Sequence, residues 1–274
     1  MAEDILRQLF SLEGKTALVT GGATGIGRMI ATALAAAGAR VFIASRKREA
    51  CEATAAEINA AGVAGEVLAL EGDVSNEAGV TALAGAIGER CDRLDILVNN
   101  AGVSWGAPLG EFPYHAWNRV LSVNVAGLFA LTQALLPKLE AAASDDDPAR
   151  IVNLGSVMGA QPLAESVYSY AASKAAVHHL TRSLAKELAA RRITVNAFAP
   201  GPFQSKMTAF ATGTEEQAAK IGKGVPLGRI GAPGDIAGAI LYLCGRGGAY
   251  VTGAILPIDG GIGVMTGPEL FGEA

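Results

Sequence analysis

The chain has 274 residues, 50% of them hydrophobic, and its 22 basic and 26 acidic side chains give a net charge of −4. The charges are spread without a basic block, and no run reaches the ~18 uninterrupted apolar residues of a membrane span, so neither nucleic acid nor membrane is an expected partner. No Pro/Ser-rich linker divides the sequence, which reads as one domain over 1–274.

The first residues, Met1 to Leu12, carry Glu3 and Asp4 and lack the basic start and long apolar core of a leader, so a cytoplasmic location is expected. Ile5, Leu6, Leu9 and Phe10 give this N-terminal extension (1–13) an amphipathic pattern that should pack on the domain. Lys15 to Arg28 then reads as a buried strand, a glycine turn and a helix start. Ala17, Leu18 and Val19 form the unbroken apolar run of a parallel strand covered on both faces, and Gly21, Gly22, Gly25 and Gly27 crowd the turn. Ile26, Met29, Ile30, Ala33, Leu34 and Ala37 recur at helical spacing, so a helix N-terminus with free N–H groups faces whatever the glycines admit. Gly21, Thr24, Gly25, Ile26 and Gly27 are therefore the expected cradle of a pyrophosphate. The spacing Thr20-Gly21-x-x-x-Gly25-x-Gly27 is longer between its first two glycines than the general Gly-x-Gly-x-x-Gly fingerprint.

Gly38 ends that helix, and Arg40 to Arg46 reads as the second strand. Its end decides the cofactor. Where an NAD site places a carboxylate for the ribose 2′-hydroxyl, Ser45, Arg46, Lys47 and Arg48 stand instead, which favours the 2′-phosphate of NADPH. A helix over Arg48–Ala60 leads to a strand over Gly65–Gly72, followed by Asp73 and Val74, where a carboxylate at the ligand edge can accept from an adenine amino group. After a helix over Glu77–Ile87, the strand Leu94–Val98 runs into Asn99, Asn100, Ala101 and Gly102, whose small and amide side chains keep a cofactor channel open. Repeated strand–helix units with right-handed crossovers predict a doubly wound, Rossmann-like parallel sheet with helices on both faces.

Leu121–Leu136 carries helical spacing interrupted by Asn124, and Ala141–Asp147 reads as an exposed loop ending in Asp145, Asp146 and Asp147. Arg150–Ser156 is the fifth strand and delivers Ser156 to the same edge as the glycines. Tyr170-Ala-Ala-Ser-Lys174 sets a phenol and an ammonium one turn apart on a helix reaching about Leu188, with Ala176, Leu180, Leu184 and Leu188 on one face. An adjacent cation favours the phenolate, so Lys174 is expected to lower the Tyr170 pKa and make it a tunable proton donor. Tyr168 has Ala172 at the equivalent spacing and no such partner. His178 and His179 lie farther along, His115 is too distant in sequence to join them, and Cys51, Cys91 and Cys244 are widely spaced; neither a metal site nor a disulfide framework is expected.

Thr20-Gly-x-x-x-Gly-x-Gly27, Asn99-Asn-Ala-Gly102, Asn124, Ser156, Tyr170-x-x-x-Lys174 and Pro200-Gly201, in that order and spanning nearly the whole chain, resemble the short-chain dehydrogenase/reductase family. Within it, Ala39–Ile43, Leu94–Gly102 and Ser104-Trp-Gly106 look most like the 3-oxoacyl-[acyl-carrier-protein] reductases of the rhamnolipid-biosynthesis type. The resemblance implies a catalytic set of Asn124, Ser156, Tyr170 and Lys174 in a homotetramer. Tyr170 would protonate the carbonyl oxygen as hydride arrives from the nicotinamide, Ser156 would hold that oxygen, Lys174 would also bind the nicotinamide ribose, and Asn124 would hold a water relay behind Lys174. It places the carboxamide side of the cofactor on Pro200, Gly201, Phe203 and Ser205, where Thr is commoner than Ser at the last position. Two features depart from the family or lie beyond its motifs. The Ser156–Tyr170 gap is one residue longer than in many relatives, so the substrate loop should differ. The segment 202–230, poor in periodicity and rich in glycine, reads as a substrate lid whose Met207, Phe210 and Ile221 either line an acyl pocket or fill the core. Ile236–Leu243 suggests a helix, Ala254–Asp259 a last strand, and 262–274 a tail long enough to reach a neighbouring subunit.

The expected activity is NADPH-dependent reduction of a ketone, in particular a 3-oxoacyl thioester carried by acyl-carrier protein or coenzyme A. Sugar, polyol and steroid reductases of the same family are the alternatives, and a catalytically idle nucleotide-binding protein is the alternative outside enzymes. For an acidic carrier protein, Arg191 and Arg192 are the expected docking cations, opposed by Asp145, Asp146 and Asp147 beside the entrance.

Overall fold

In the computed structural model, which describes residues 2–205 and 207–265, seven parallel strands form one sheet in the order β3-β2-β1-β4-β5-β6-β7. The chain runs α1 (Ala2–Phe10), β1 (Thr16–Thr20), α2 (Gly25–Ala36), β2 (Arg40–Ser45), α3 (Arg48–Ala60), β3 (Glu66–Glu71), α4 (Glu77–Gly88) and β4 (Ile96–Asn99). It continues through α5 (Tyr114–Leu121), α6 (Leu128–Ala142), β5 (Ala149–Leu154), α7 (Tyr168–Leu188), β6 (Ile193–Pro200), α8 (Ala209–Thr212), α9 (Glu215–Gly222), α10 (Pro233–Cys244) and β7 (Ile255–Ile258). The doubly wound α/β fold is the one expected.

Strand alternation distributes the core between the two faces. Ala17 and Val19 of β1 join Ile30 and Leu34 of α2 and Ile236 and Ile240 of α10. Leu18, between them, joins Leu83 of α4, Leu131 and Leu135 of α6 and Leu184 of α7. Each of these Val, Leu and Ile side chains contributes about 1.5–3 kcal/mol through the apolar surface it removes from water. α2 stops where Gly38, at φ +101°, donates to Ala35 and Ala39 donates to Leu34, both at 3.0 Å. The chain order reverses between β1 and β4, so the loops after these strands part and open a crevice at the carboxyl edge.

Four expectations need correction. The single helix around Asn124 starts earlier and ends later: α5 and α6 are joined by a π-helical turn over Ser122–Gly127. Its widening fits a close approach, because a Cβ on Gly127 would overlap the Val74 carbonyl. By length and composition Tyr114–Ala142 is apolar enough to cross a membrane, yet Leu131, Leu135 and Leu139 are spent on the sheet. On α7, Ala176 and Leu180 are only half-buried, and the enclosed stripe instead runs through Lys174, Val177, His178, Thr181, Leu184 and Leu188. In α1 the last turn packs, with Leu9 and Phe10 against Gly245 and Gly247, while Ile5 and Leu6 are exposed.

The fourth correction concerns the charged loops. Residues that precede a parallel strand lie at its amino edge, so Asp145–Asp147, before β5, and Arg191 and Arg192, before β6, sit at the end of this chain's sheet opposite Ser156. They are also occupied. Arg191 binds Glu140 at 2.9 Å, Arg192 binds Asp145, and Asp147 binds both Lys15 (2.6 Å) and Arg150 (2.9 Å). Neither patch borders the entrance of its own chain, and the carrier-docking argument built on them falls. The lid segment is more ordered than its sequence suggests, since Thr214 and Gln217 form a reciprocal cap that starts α9. The tail expected to reach a neighbour lies outside the described residues beyond Met265.

Candidate active site

The glycine turn works by close approach. Gly21, at φ +65°, has Asn100 Nδ2 2.8 Å from where a Cβ would stand, and a Cβ on Gly27 would overlap the Gly21 carbonyl. The first turn of α2 is therefore pressed against the end of β1, and its N-terminus opens into a cleft of about 300 Å³. Gly21, Thr24, Gly25 and Ile26 line the cleft from this side, with Gly27 behind them. A bed of glycines at a helix N-terminus fits a pyrophosphate.

Asn100, Ala101 and Gly102 line the opposite wall. Thr20, which sequence reasoning left without a role, organises them: its Oγ1 accepts the N–H groups of Asn100 and Ala101, both at 3.0 Å. A hydroxyl at the end of a strand just before the glycines was the available signal. The Asn100 amide donates to the Thr20 carbonyl at 2.8 Å, so it ties the two loops together. Pro200, Gly201, Phe203 and Ser205 follow β6 into the same cleft, with Met207, Thr208, Leu154 and Gly155 beside them. Ser205 shares its hydroxyl with Thr208 at 3.0 Å.

Ser45, Arg46, Lys47, Asp73 and Val74 lie farther along the carboxyl edge, past the ends of β2 and β3. Ser45 Oγ donates to the Lys47 carbonyl at 3.1 Å and stands 3.2 Å from Cys51 Sγ. Arg46 and Lys47 are exposed, whereas Arg48 is bound to Glu52 at 2.8 Å. Asp73 Oδ1 accepts the Ser75 N–H at 2.9 Å.

Ser156, Tyr170 and Lys174 meet on one wall of the cleft. Lys174 Nζ lies 5.6 Å from the centre of the Tyr170 ring and donates to the Leu154 carbonyl at 2.6 Å. Burial lowers the Lys174 pKa to about 8. Burial also raises the Tyr170 pKa, and the Ser156 hydroxyl only opposes it in part. The expectation that Lys174 would pull the phenol down is therefore corrected: the opposing pull on Tyr170 comes from the Ser156 hydroxyl, and desolvation in this enclosed wall disfavours the charged form of both Tyr170 and Lys174. Asn124, on the π-turn, is buried but does not reach Lys174. Its Oδ1 accepts Val103 N–H at 2.9 Å, and its Nδ2 donates to Val103 O (3.0 Å) and Ser173 Oγ (2.9 Å). Asn124 and Lys174 do converge on Gly102, where a Cβ would lie 3.4 Å from Oδ1 and 3.7 Å from Nζ. Tyr168 is turned away and packs edge-on against Phe112, 5.4 Å between centres. Among the described residues no three His, Cys, Asp or Glu side chains gather as metal ligands.

With this geometry, the chain can be set beside known proteins. The family described as Enoyl-(Acyl carrier protein) reductase matches residues 21–263. The chain belongs to the short-chain dehydrogenase/reductase family. It is 48% identical over 252 residues to the rhamnolipids biosynthesis 3-oxoacyl-[acyl-carrier-protein] reductase of Pseudomonas aeruginosa, covering 92% of this chain and 97% of that protein. It is also 40% identical over 258 residues to galactitol 2-dehydrogenase (L-tagatose-forming) of Cereibacter sphaeroides, covering 93% and 97%. Among solved structures, the Pseudomonas aeruginosa RhlG/NADP active-site complex superposes with a TM-score of 0.89 at 48% identity, over 93% of this chain and 99% of that one. The Burkholderia cenocepacia gluconate 5-dehydrogenase in complex with NADP and tartrate gives 0.85 at 31% identity, over 95% and 99%. The short-chain dehydrogenase/reductase reading of the sequence holds, and the chain is an oxidoreductase of that family.

Proposed function

We propose that the chain is an NADPH-dependent reductase of a 3-oxoacyl thioester. The observation that carries this reading is the meeting of Ser156, Tyr170 and Lys174 on the wall of the glycine-lined cleft. When bound, the dinucleotide supplies hydride. Gly21, Thr24, Gly25, Ile26 and the N-terminus of α2 would hold its pyrophosphate, with Gly27 making the room. Ser45, Arg46 and Lys47 would hold the 2′-phosphate, Asp73 and Val74 the adenine, and Asn100, Ala101 and Gly102 the ribose channel. Pro200, Gly201, Phe203 and Ser205 would take the carboxamide side. The bound NADP named for two related structures supports the cofactor.

Tyr170 gives its proton to the carbonyl oxygen; the phenol is protonated at neutral pH, as the donor of that step must be. The Ser156 hydroxyl donates to the same oxygen and steadies the charge that develops there. Lys174 holds the wall together through the Leu154 carbonyl and would hold the nicotinamide ribose beside Tyr170. Asn124 braces Val103 and Ser173, the backbone and side chain that flank this pair. A homotetramer belongs to the same proposal, supported by β7, an edge strand whose Ile255, Leu256 and Ile258 are only half-buried.

The ketoses of the sugar-dehydrogenase relatives are the second reading. Exposed apolar side chains in the two segments that flank the site in sequence favour the thioester: Met207 lines the cleft and is 43% exposed, Phe210 three residues on is 85% exposed, and Leu163 between Ser156 and Tyr170 is 45% exposed. These apolar side chains do not fill the core, and they suit an acyl chain better than a polyol. The test is NADPH oxidation with matched 3-oxoacyl thioesters, on coenzyme A and on acyl-carrier protein, against tagatose and 5-keto-gluconate. Thioesters should give the higher kcat/KM. A preference for the keto-sugars would replace the substrate assignment, and NADPH binding without turnover of any ketone would favour the idle binding protein.

A further inference from the structure

Three residues at the end of β5 carry the wall of the site, and each is held by a different group. Leu154 offers its carbonyl to Lys174 Nζ at 2.6 Å, Gly155 donates to the Phe198 carbonyl of β6 at 2.8 Å, and Ser156 N–H points to His178 Nε2 at 3.5 Å. Tyr170, Lys174 and His178 follow one another at four-residue steps on α7, so they stand in one row along one face. The row ends in an imidazole that is 6% exposed. The turn around Ser156 is moulded on that ring. A Cβ on Gly155 would lie 2.6 Å from His178 Cδ2, and one on Gly159 would lie 2.8 Å from Cε1. A side chain at either position would displace the ring or the turn.

We propose that His178 is a positioning residue: its neutral imidazole accepts the Ser156 N–H and fills the bed between Gly155 and Gly159, fixing where the Ser156 hydroxyl meets the carbonyl oxygen. The inference rests on the role given to Ser156 above. Accepting at Nε2 requires the tautomer with hydrogen on Nδ1. Ser156 Oγ in turn accepts Met158 N–H at 3.2 Å, which leaves its own proton free for the substrate. The surroundings keep the ring neutral. Burial comes first, and the cations of Arg182 and Lys174 on its own helix act in the same direction, lowering its pKa. The turn 155–159 and β6 present no ionisable side chain to it. Protonation would remove the acceptor and set a third cation beside Lys174, so turnover should fail on the acid side.

The experiment compares His178→Leu, which keeps apolar bulk without an acceptor, with His178→Gln, which restores one, using NADPH and the best ketone of the panel above. The Leu variant should lose kcat by about 10- to 100-fold, as for a small misplacement of a reacting group. Its KM, NADPH affinity and melting temperature should stay near wild type. The Gln variant should regain most of the kcat and lose the acid limb of the wild-type kcat profile. A Leu variant with wild-type kcat, or a Gln variant no better than Leu, overturns the inference. Should the Leu variant not fold, ¹⁵N NMR of the histidines in the wild-type holoenzyme decides: hydrogen on Nδ1 supports the proposal, and hydrogen on Nε2 at neutral pH overturns it. Ser156→Ala separates the two levels. If it retains full turnover, the role of Ser156 falls and the inference with it; if it is inactive while His178→Leu is unaffected, the inference alone falls.

Discussion

At the amino edge of the sheet Lys15 bridges Asp95 (3.1 Å) and Asp147 (2.6 Å), and Arg150, 1% exposed, reaches Asp147 and the carbonyls of Leu243 and Gly245. At the carboxyl edge Lys174 is enclosed to the same degree, but a single carbonyl receives it, and burial takes its pKa down to about 8. Both edges enclose a cation beneath the same parallel strands, Arg150 at one and Lys174 at the other. At one, carboxylates compensate the lost hydration; at the other, the group is left close to giving up its proton. The contrast separates a clamp from a reactive wall, and it makes opposite demands on substitution at the two ends.

The largest effect should come from the reactive wall. Tyr170→Phe removes only an oxygen, yet kcat should fall about 10²- to 10⁴-fold, the range of a positioned proton donor. Fluorescence titration should show NADPH affinity unchanged. If Tyr168→Phe were the inactive variant and Tyr170→Phe harmless, the carboxyl edge would have been assigned to the wrong tyrosine.

The clamp should answer in stability instead. Asp95 accepts both Lys15 Nζ and the Thr16 N–H (2.9 Å) with a side chain 3% exposed, so Asp95→Ala leaves the Thr16 donor without its acceptor and Lys15 with Asp147 alone. Urea unfolding should show a loss of about 2–4 kcal/mol, while the kcat/KM of the folded fraction is retained. A loss below ~1 kcal/mol would mean the amino edge is only a set of weak surface pairs.

What the sequence made legible was local. The apolar run of β1, its glycines and the Tyr170–Lys174 spacing each fit inside one turn or one strand, and the structure assembles them at one edge. Parallel topology also dictates that Arg191, Arg192 and Asp145–Asp147 precede strands and fall at the other edge, although charge alone suggested an entrance. The π-turn could not be seen, because the apolar spacing through Leu121–Leu136 hardly changes where the backbone widens around Asn124. Burial was equally hidden: a Tyr and a Lys one turn apart predict mutual stabilisation of charge in water, and only the enclosing wall reverses the effect. His178 was within reach, being eight residues past Tyr170 on the same face, but a lone histidine gives no sign of the turn it supports.

Cofactor choice tests the outer end of the carboxyl edge, where cations stay solvated. Arg46→Ala with Ser45→Asp exchanges a cation and a hydroxyl for a carboxylate, and the ratio of kcat/KM for NADPH over NADH should reverse. Each charge-assisted contact is worth about 1.5–3 kcal/mol when enclosed. Arg46 is exposed, so a change of about 10-fold per residue is expected, and it should shrink at high salt. Equal use of both dinucleotides by the wild type would remove Arg46 from the site.

The smallest shift is the most direct measure of the contrast between the edges. Below pH of about 8 Lys174 is charged in both the folded and the unfolded chain, and the folded state carries the cost of burying that charge. Between about 8 and 10.5 only the unfolded chain holds the proton, so the stability of the unliganded protein should rise with pH through this window. The shift corresponds to about 3 kcal/mol of burial cost at neutral pH. Lys174→Met removes that cost but leaves the Leu154 carbonyl without its donor, which returns about 1–3 kcal/mol. The variant should therefore be inactive and yet as stable as wild type at pH 7, or up to about 2 kcal/mol more so, with the alkaline rise gone. A loss of about 2–4 kcal/mol, the size expected for Asp95→Ala, would show that Lys174 is clamped like the amino-edge charges and that the two edges do not differ in kind.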